Sequence, residues 1–255
     1  MTDADRGKEK AGRSNGGADK SRQPLFYRRP EPLDPVRHKG LGISAKADYG
    51  FASTANAVML TAMEFALASR TYPIVFTTGQ EPSPVAILGV RKDQNLFVSD
   101  GRWAPRTYIP AYIRRYPFAF VESDDKTRLT LCIDVEAEAV TADAETKFFD
   151  DSEPSEYTKK ALDFCTSFQT QHNLTNKLCA ELRKHELLIS RQAEITLPNG
   201  EKTAIRDFLI VDEQKLNSLP DEVFLEFRKS GLLPFVYFHL MSIANFRDLS
   251  EKATS

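Results

Sequence analysis

The chain has 255 residues, 41% hydrophobic and 27% charged, with a formal net charge of −2, enough chain to bury a real core as one large or two small domains. So balanced a charge gives no global field for nucleic acid or anionic lipid, and neither is an expected partner. No apolar run approaches the roughly 20 residues that span a bilayer, and the first residues lack a secretory signal's apolar core; no membrane insertion and a cytoplasmic location are expected, with the cell surface reached only by a signal-independent route.

Residues 1–24 hold six basic and four acidic side chains among Gly, Ser and Ala. Such a segment cannot bury enough apolar surface to offset its ordering entropy, and it reads as a disordered tail. Order is expected from Pro24-Leu25-Phe26-Tyr27 onward, in a single α+β domain over 25–255 with a candidate subdivision near 140–155. Pro30, Pro32 and Pro35 forbid a helix and favour an extended approach. From Ala55 to Arg70, Val58, Ala62, Phe65 and Ala66 share one helical face, widened by Leu60, Met63 and Leu67; the pattern predicts a mostly buried helix. Tyr72-Pro73 ends it, and Ile74-Val75-Phe76 reads as a buried strand.

Val85–Val90, the polar turn Lys92-Asp93-Gln94 and Leu96-Phe97-Val98 read as a hairpin. Strands are expected at Ala119-Phe120-Val121 and at Leu129–Ile133, joined by a turn at Ser123-Asp124-Asp125-Lys126. The first half is therefore β-rich, mainly one antiparallel sheet. The second half is mostly helical. Ser155 can cap a helix running to about Leu188, with an apolar stripe through Ala161, Phe164, Cys165, Phe168, Leu174, Leu178, Cys179 and Leu182. A hairpin is expected around Pro198-Asn199-Gly200-Glu201, then a third short strand at 208–211. A short helix opens at Asp212-Glu213, another starts at Pro220, and a final helix covers about Leu233–Leu249.

Three cysteines, Cys132, Cys165 and Cys179, show no CxxC spacing. Cys165 and Cys179 fall on one helix, about 21 Å apart along its axis, so reduced, buried thiols are the reading. The histidines His38, His172, His185 and His239 offer neither an HExxH pair nor a Cys–His zinc spacing; no metal and no cofactor is expected. His38, after the proline arm, is the best placed of the four for a role, although no carboxylate partner is identifiable for it. There is no G-x-S-x-G elbow, phosphate loop or dinucleotide fingerprint, and the pairs Asp124-Asp125 and Asp150-Asp151 read as exposed turn residues.

What remains is the block from Tyr72 to Phe118, which gathers the only tryptophan, five arginines and four tyrosines. Aromatic and guanidinium groups at this density are what binding surfaces use, and Arg102, Trp103, Tyr108, Arg114, Arg115 and Tyr116 are the candidate binding residues. Asp100-Gly101 fits a tight turn presenting Arg102 and Trp103, with Arg102 exposed. Arg114 and Arg115 diverge on a strand or a helical turn alike, so one is expected to be buried against a carboxylate or carbonyl and the other to face solvent. An aromatic core with an internal ion pair is the competing reading of the same residues.

With these residues in view, the chain resembles the SapC-like family of bacterial proteins from about Leu25 to Leu249. The features that carry the resemblance are His38, Glu64-Phe65, Tyr72-Pro73-Ile74-Val75-Phe76, Leu88-Gly89, Asn95-Leu96-Phe97, Gly101-Arg102-Trp103 and Tyr108-Ile109-Pro110-Ala111. They continue through Arg114-Arg115-Tyr116-Pro117-Phe118, Val211-Asp212-Glu213, Gly231-Leu232-Leu233 and His239-Leu240. The resemblance implies a surface-layer association in some bacteria, and brings no established catalytic residues. Taken with the residues, it points to a non-catalytic interaction or S-layer-type protein with a protein or peptide partner, self-association remaining open. The alternative is an enzyme of unrecognised mechanism, or an accessory subunit to a flavin-dependent halogenase-like enzyme.

Overall fold

The computed structural model describes residues 24–122, 128–196, 200 and 202–253. Residues 1–23 of the expected tail, the turn at 123–126 and all but Gly200 of the turn at 198–201 lie outside the described residues. In chain order the strands that carry the fold are β1 (Pro30–Pro32), β2 (Ala57–Met59), β3 (Ile74–Thr77), β4 (Pro84–Ile87), β5 (Phe118–Glu122), β6 (Leu129–Asp134), β7 (Leu188–Thr196) and β8 (Lys202–Val211). The helices are α1 (Phe65–Ala68), α2 (Ala111–Arg114), α3 (Glu156–Lys184), α4 (Glu213–Asn217), α5 (Asp221–Lys229), α6 (Leu233–Ser242) and α7 (Asn245–Lys252).

The architecture is α+β, strand-rich in the N-terminal half and helical in the C-terminal half. The hairpin β7–β8 crosses this division: it completes a five-stranded antiparallel sheet in the order β7-β8-β3-β4-β2. A second antiparallel sheet runs β1-β6-β5, and its first strand is the extended proline arm. The helix α3 serves both layers. Its Cys165 joins a cluster with Phe118, Ile133 and Phe148, and its Phe168, Leu178, Cys179 and Leu182 enter the larger core around the main sheet. Burying each large apolar side chain of that stripe contributes about 1.5–3 kcal/mol. Ser155 caps the helix by accepting the Thr158 amide at 3.3 Å, as its sequence position implies.

Four local expectations are corrected. The segment 55–70 is not one helix: β2 is followed by a 3-10 turn at Ala62–Glu64 and the single turn of α1. Val58, Leu60 and Ala62 are fully buried at alternate positions, a period of two that an all-apolar run hides among helical matches. The hairpin expected across 85–98 keeps one backbone bond, Leu96 N–H to Leu88 O at 2.8 Å. β4 pairs instead with β2 and β3; the chain then closes so tightly that a Cβ on Gly89 would lie 2.0 Å from the Gln94 carbonyl oxygen. Residues 202–205 and 208–211 form one strand, not two. A bulge opposite Arg191–Ala193 absorbs the irregularity, with Asp207 at φ +58°. The final helix is two, α6 and α7, and Leu188 opens a strand rather than ending α3.

α6 lies against the main sheet through polar groups as well as apolar ones. Ser242 Oγ accepts the Ile74 amide at 2.9 Å and donates to the His239 carbonyl at 2.6 Å, and His239 Nε2 accepts the Val211 amide at 3.0 Å. Burial pushes the His239 imidazole from 6.5 down to about 4. An unfolded chain therefore binds a proton at this ring between those values that the folded chain refuses. Stability is expected to be highest above the upper value and to fall by about 3 kcal/mol as pH drops through the window. Urea midpoints from neutral pH down to about 4 measure the fall. His239→Gln should flatten it in part; half-buried His172, also lowered by burial, supplies a further decline of the same sign.

Candidate binding cleft

Each residue of the aromatic and arginine block has a defined place, and the six candidates separate into three groups. Trp103 stands in the core at 8% exposure, stacked on Phe97 and edge-on to Tyr49. Its Nε1–H donates to Tyr72 Oη at 3.2 Å, and Tyr72 Oη donates in turn to the Tyr108 carbonyl. Burial pushes the Tyr72 and Tyr108 phenols up to about 12, so both remain protonated donors. Arg102 is exposed on the ribbon that pairs Val98–Ser99 with Arg102–Trp103. Gly101 is required in the turn of that ribbon: its φ is +72°, and a Cβ there would meet Asp48 Oδ2 at 2.2 Å.

The two adjacent arginines diverge as expected, but neither meets a carboxylate. Arg115 is half-buried, with its guanidinium 4.4 Å from the ring centres of both Tyr112 and Phe168. Its cation is held by aromatic faces rather than by an ion pair. Exposed Arg114 donates from Nε to the Ile109 carbonyl and from Nη2 to Tyr108 Oη, both at 3.0 Å. Tyr108 Oη donates to Glu64 Oε1 at 3.1 Å. The buried Glu64 carboxylate also accepts the Ala111 amide at 2.6 Å and the Thr61 amide at 2.7 Å, reaching back across the capping box that begins the 3-10 turn. Glu64 thus fixes the start of α2, and with it the direction in which Arg114 projects.

Arg114 and Tyr116 come together on the wall of a cleft of about 980 Å³. The opposite wall is the loop 43–54, tied to the ribbon by Tyr49 N–H to Gly101 O at 2.8 Å. Phe51 packs on Tyr116 with ring centres 4.3 Å apart, and Phe26 meets Phe51 edge-on. Tyr116 Oη donates to Asp134 Oδ2 at 3.2 Å; the same buried carboxylate accepts the Arg28 and Arg29 amides at 2.9 Å. Arg28 is thereby brought to the cleft, where Lys46 joins it. Among the described residues Arg28, Lys46 and Arg114 form no ion pair. The two acids of the cleft are Asp48, already accepting the Gly50 amide, and Glu138. The site offers three uncommitted cations and the rings of Tyr49, Phe51, Tyr116 and Tyr157 on an open surface.

The sequence gave no local signal for Arg28, Lys46, Tyr49, Phe51 or Tyr157, since each reaches the cleft from a different loop or helix. Glu64 was legible, because Thr61-x-x-Glu64 is a capping-box spacing. Arg102, Trp103 and Arg115 do not line the cleft.

Nucleophile chemistry finds little support in the other titratable groups. All three cysteines are buried and free of disulfides, and burial pushes the Cys165 and Cys179 thiols up to about 11 and about 12, far from the thiolate that reacts at neutral pH. Cys179 and His172 border a smaller cavity of about 340 Å³ between residues 80–83 and α3. His38 is buried, its Nδ1 accepting the Asp34 amide at 3.0 Å and its Nε2 lying 3.9 Å from Glu31 Oε2. It anchors the proline arm. No group of three or more His, Cys, Asp or Glu among the described residues could hold a metal ion, and no helix among them is long and apolar enough to cross a membrane.

The family model described as SapC matches residues 33–249. No curated protein and no solved structure matches the chain.

Proposed function

The chain belongs to the SapC family, and from that premise we propose that it is a non-catalytic interaction protein whose cleft receives a segment of a protein partner carrying acidic side chains. The observation that carries this reading is the trio Arg28, Lys46 and Arg114, uncommitted cations beside four aromatic rings. An acidic peptide supplies the missing negative charge, and its apolar or aromatic side chains find ring faces between the cations. The volume lies at the top of the range for small-molecule pockets, about 300–1,000 Å³, and the open side suits a length of chain. The surface-layer association implied by the family resemblance would set such a cleft against an extended protein surface.

Fluorescence polarisation with labelled peptides, Asp/Glu-rich and carrying one aromatic residue, tests the reading against neutral and Lys-rich peptides of equal length. The acidic set should bind, more weakly as salt rises. Arg114→Ala should cost about 2 kcal/mol of binding, roughly 30-fold in Kd, with thermal stability little changed. Equal binding of all three peptide sets, or an acidic set that ignores both salt and Arg114→Ala, would sink the proposal.

A further inference from the structure

The helix α6 reads Leu233-Pro234-Phe235-Val236-Tyr237-Phe238-His239-Leu240-Met241-Ser242, without one Asp, Glu, Lys or Arg. A helix apolar on every side is ordinarily buried on every side. Here only Val236, His239 and Ser242 are buried, while Tyr237 is 41% and Met241 68% exposed. The neighbouring α1 packs against α6, Phe65 meeting Phe235 edge-on at 6.4 Å. Met63, just before α1, and Leu67 within it are also exposed. Large exposed apolar patches of this kind mark interaction surfaces.

We propose that the outer face of α6 is a self-association surface, meeting the same face of a second copy of this chain across a two-fold axis. The identity of the occupant is argued from charge. From Gly231 to Phe246 no residue carries a carboxylate, ammonium or guanidinium group, and the one imidazole is inside, bonded to the Val211 amide. A charged partner finds nothing there to pair with, and its own charges would be stripped of water without compensation. A second copy presents the same uncharged surface, and a two-fold contact needs only a patch complementary to itself. Composition points the same way. Interface cores are rich in Met, Tyr and Phe and poor in charge, and homodimer interfaces are more apolar than those of transient partners. The face differs in kind from the cationic cleft, so self-association and acidic-peptide binding are separable properties.

Sedimentation equilibrium of the full chain across the micromolar range reads the result directly. The wild type should approach twice the 28.7 kDa chain mass. Met241→Glu and Tyr237→Glu, which force a carboxylate into the contact, should each weaken the dimer at least about tenfold. Val36→Glu, at a position 83% exposed and remote in sequence, should leave it unchanged. Circular dichroism confirms that the variants fold. A wild type that stays at the single-chain mass overturns the proposal, as does a dimer that both folded α6 variants leave intact.

Discussion

Replacing Glu64 by alanine should lower the unfolding free energy by about 3–5 kcal/mol, because it leaves buried donors without an acceptor. The Thr61 and Ala111 amides both end on this carboxylate, with Tyr108 Oη beside them. Each orphaned buried donor costs about 1–3 kcal/mol, and no other acceptor for these two amides exists among the described residues. Glu64→Gln keeps the shape and one carbonyl oxygen but turns an amide nitrogen toward N–H donors, so an intermediate loss is expected. Urea unfolding of the two variants gives the ranking. Should Glu64→Ala cost less than about 1 kcal/mol, the carboxylate does not organise this corner. Because Glu64 also sets α2 and the hydrogen bond network of Arg114, Glu64→Gln should weaken acidic-peptide binding beyond its effect on stability.

The elements readable from sequence share a physical trait: their signals are local. Ser155 before a long amphipathic stretch fixes α3, Asp212 caps α4 through its side chain, and Gly231 breaks α5 from α6 at φ +72°. The β5–β6 pair was legible because adjacent strands joined by a short polar turn need no long-range information. By contrast, β2 was hidden because every residue from Val58 to Ala68 suits a buried helix as well as a buried strand. What decides is the ladder with β4, whose partners lie nearly thirty residues further on. The junction of β8 with β3 is still less local, since Leu209 pairs with Phe76. Periodicity carries no information about such a partner.

The candidate site shows the same division. The concentration of aromatic and arginine residues between Tyr72 and Phe118 was visible, but composition does not say which way each side chain points. Geometry divides the block, taking Arg114 and Tyr116 to the cleft, Trp103 to the core and Arg115 to aromatic faces. The expectation that one arginine would meet a carboxylate failed for a reason absent from the sequence. The nearby buried acids Glu64 and Asp134 are already filled by backbone amides and tyrosine hydroxyls.

Trp103→Ala should cost about 3–5 kcal/mol of stability, the usual loss on truncating a buried large aromatic. The indole lies between Phe97 and Tyr49, and alanine leaves a cavity there that rigid ring neighbours are poorly able to fill. The loss has a polar part as well, since Tyr72 Oη loses the donor that now reaches it at 3.2 Å. Trp103→Phe separates the two contributions. It keeps most of the ring contact and removes only the N–H, so about 1 kcal/mol should be lost, with the cavity share making up the remainder in the alanine variant. Arg102→Ala, one residue away but exposed, should change stability by less than about 0.5 kcal/mol. If Trp103→Ala melts with the wild type while peptide binding disappears, the tryptophan is a binding anchor and its packing on Phe97 contributes little. The expected pattern is the opposite: an early melt for Trp103→Ala, and intact acidic-peptide binding by whatever fraction stays folded.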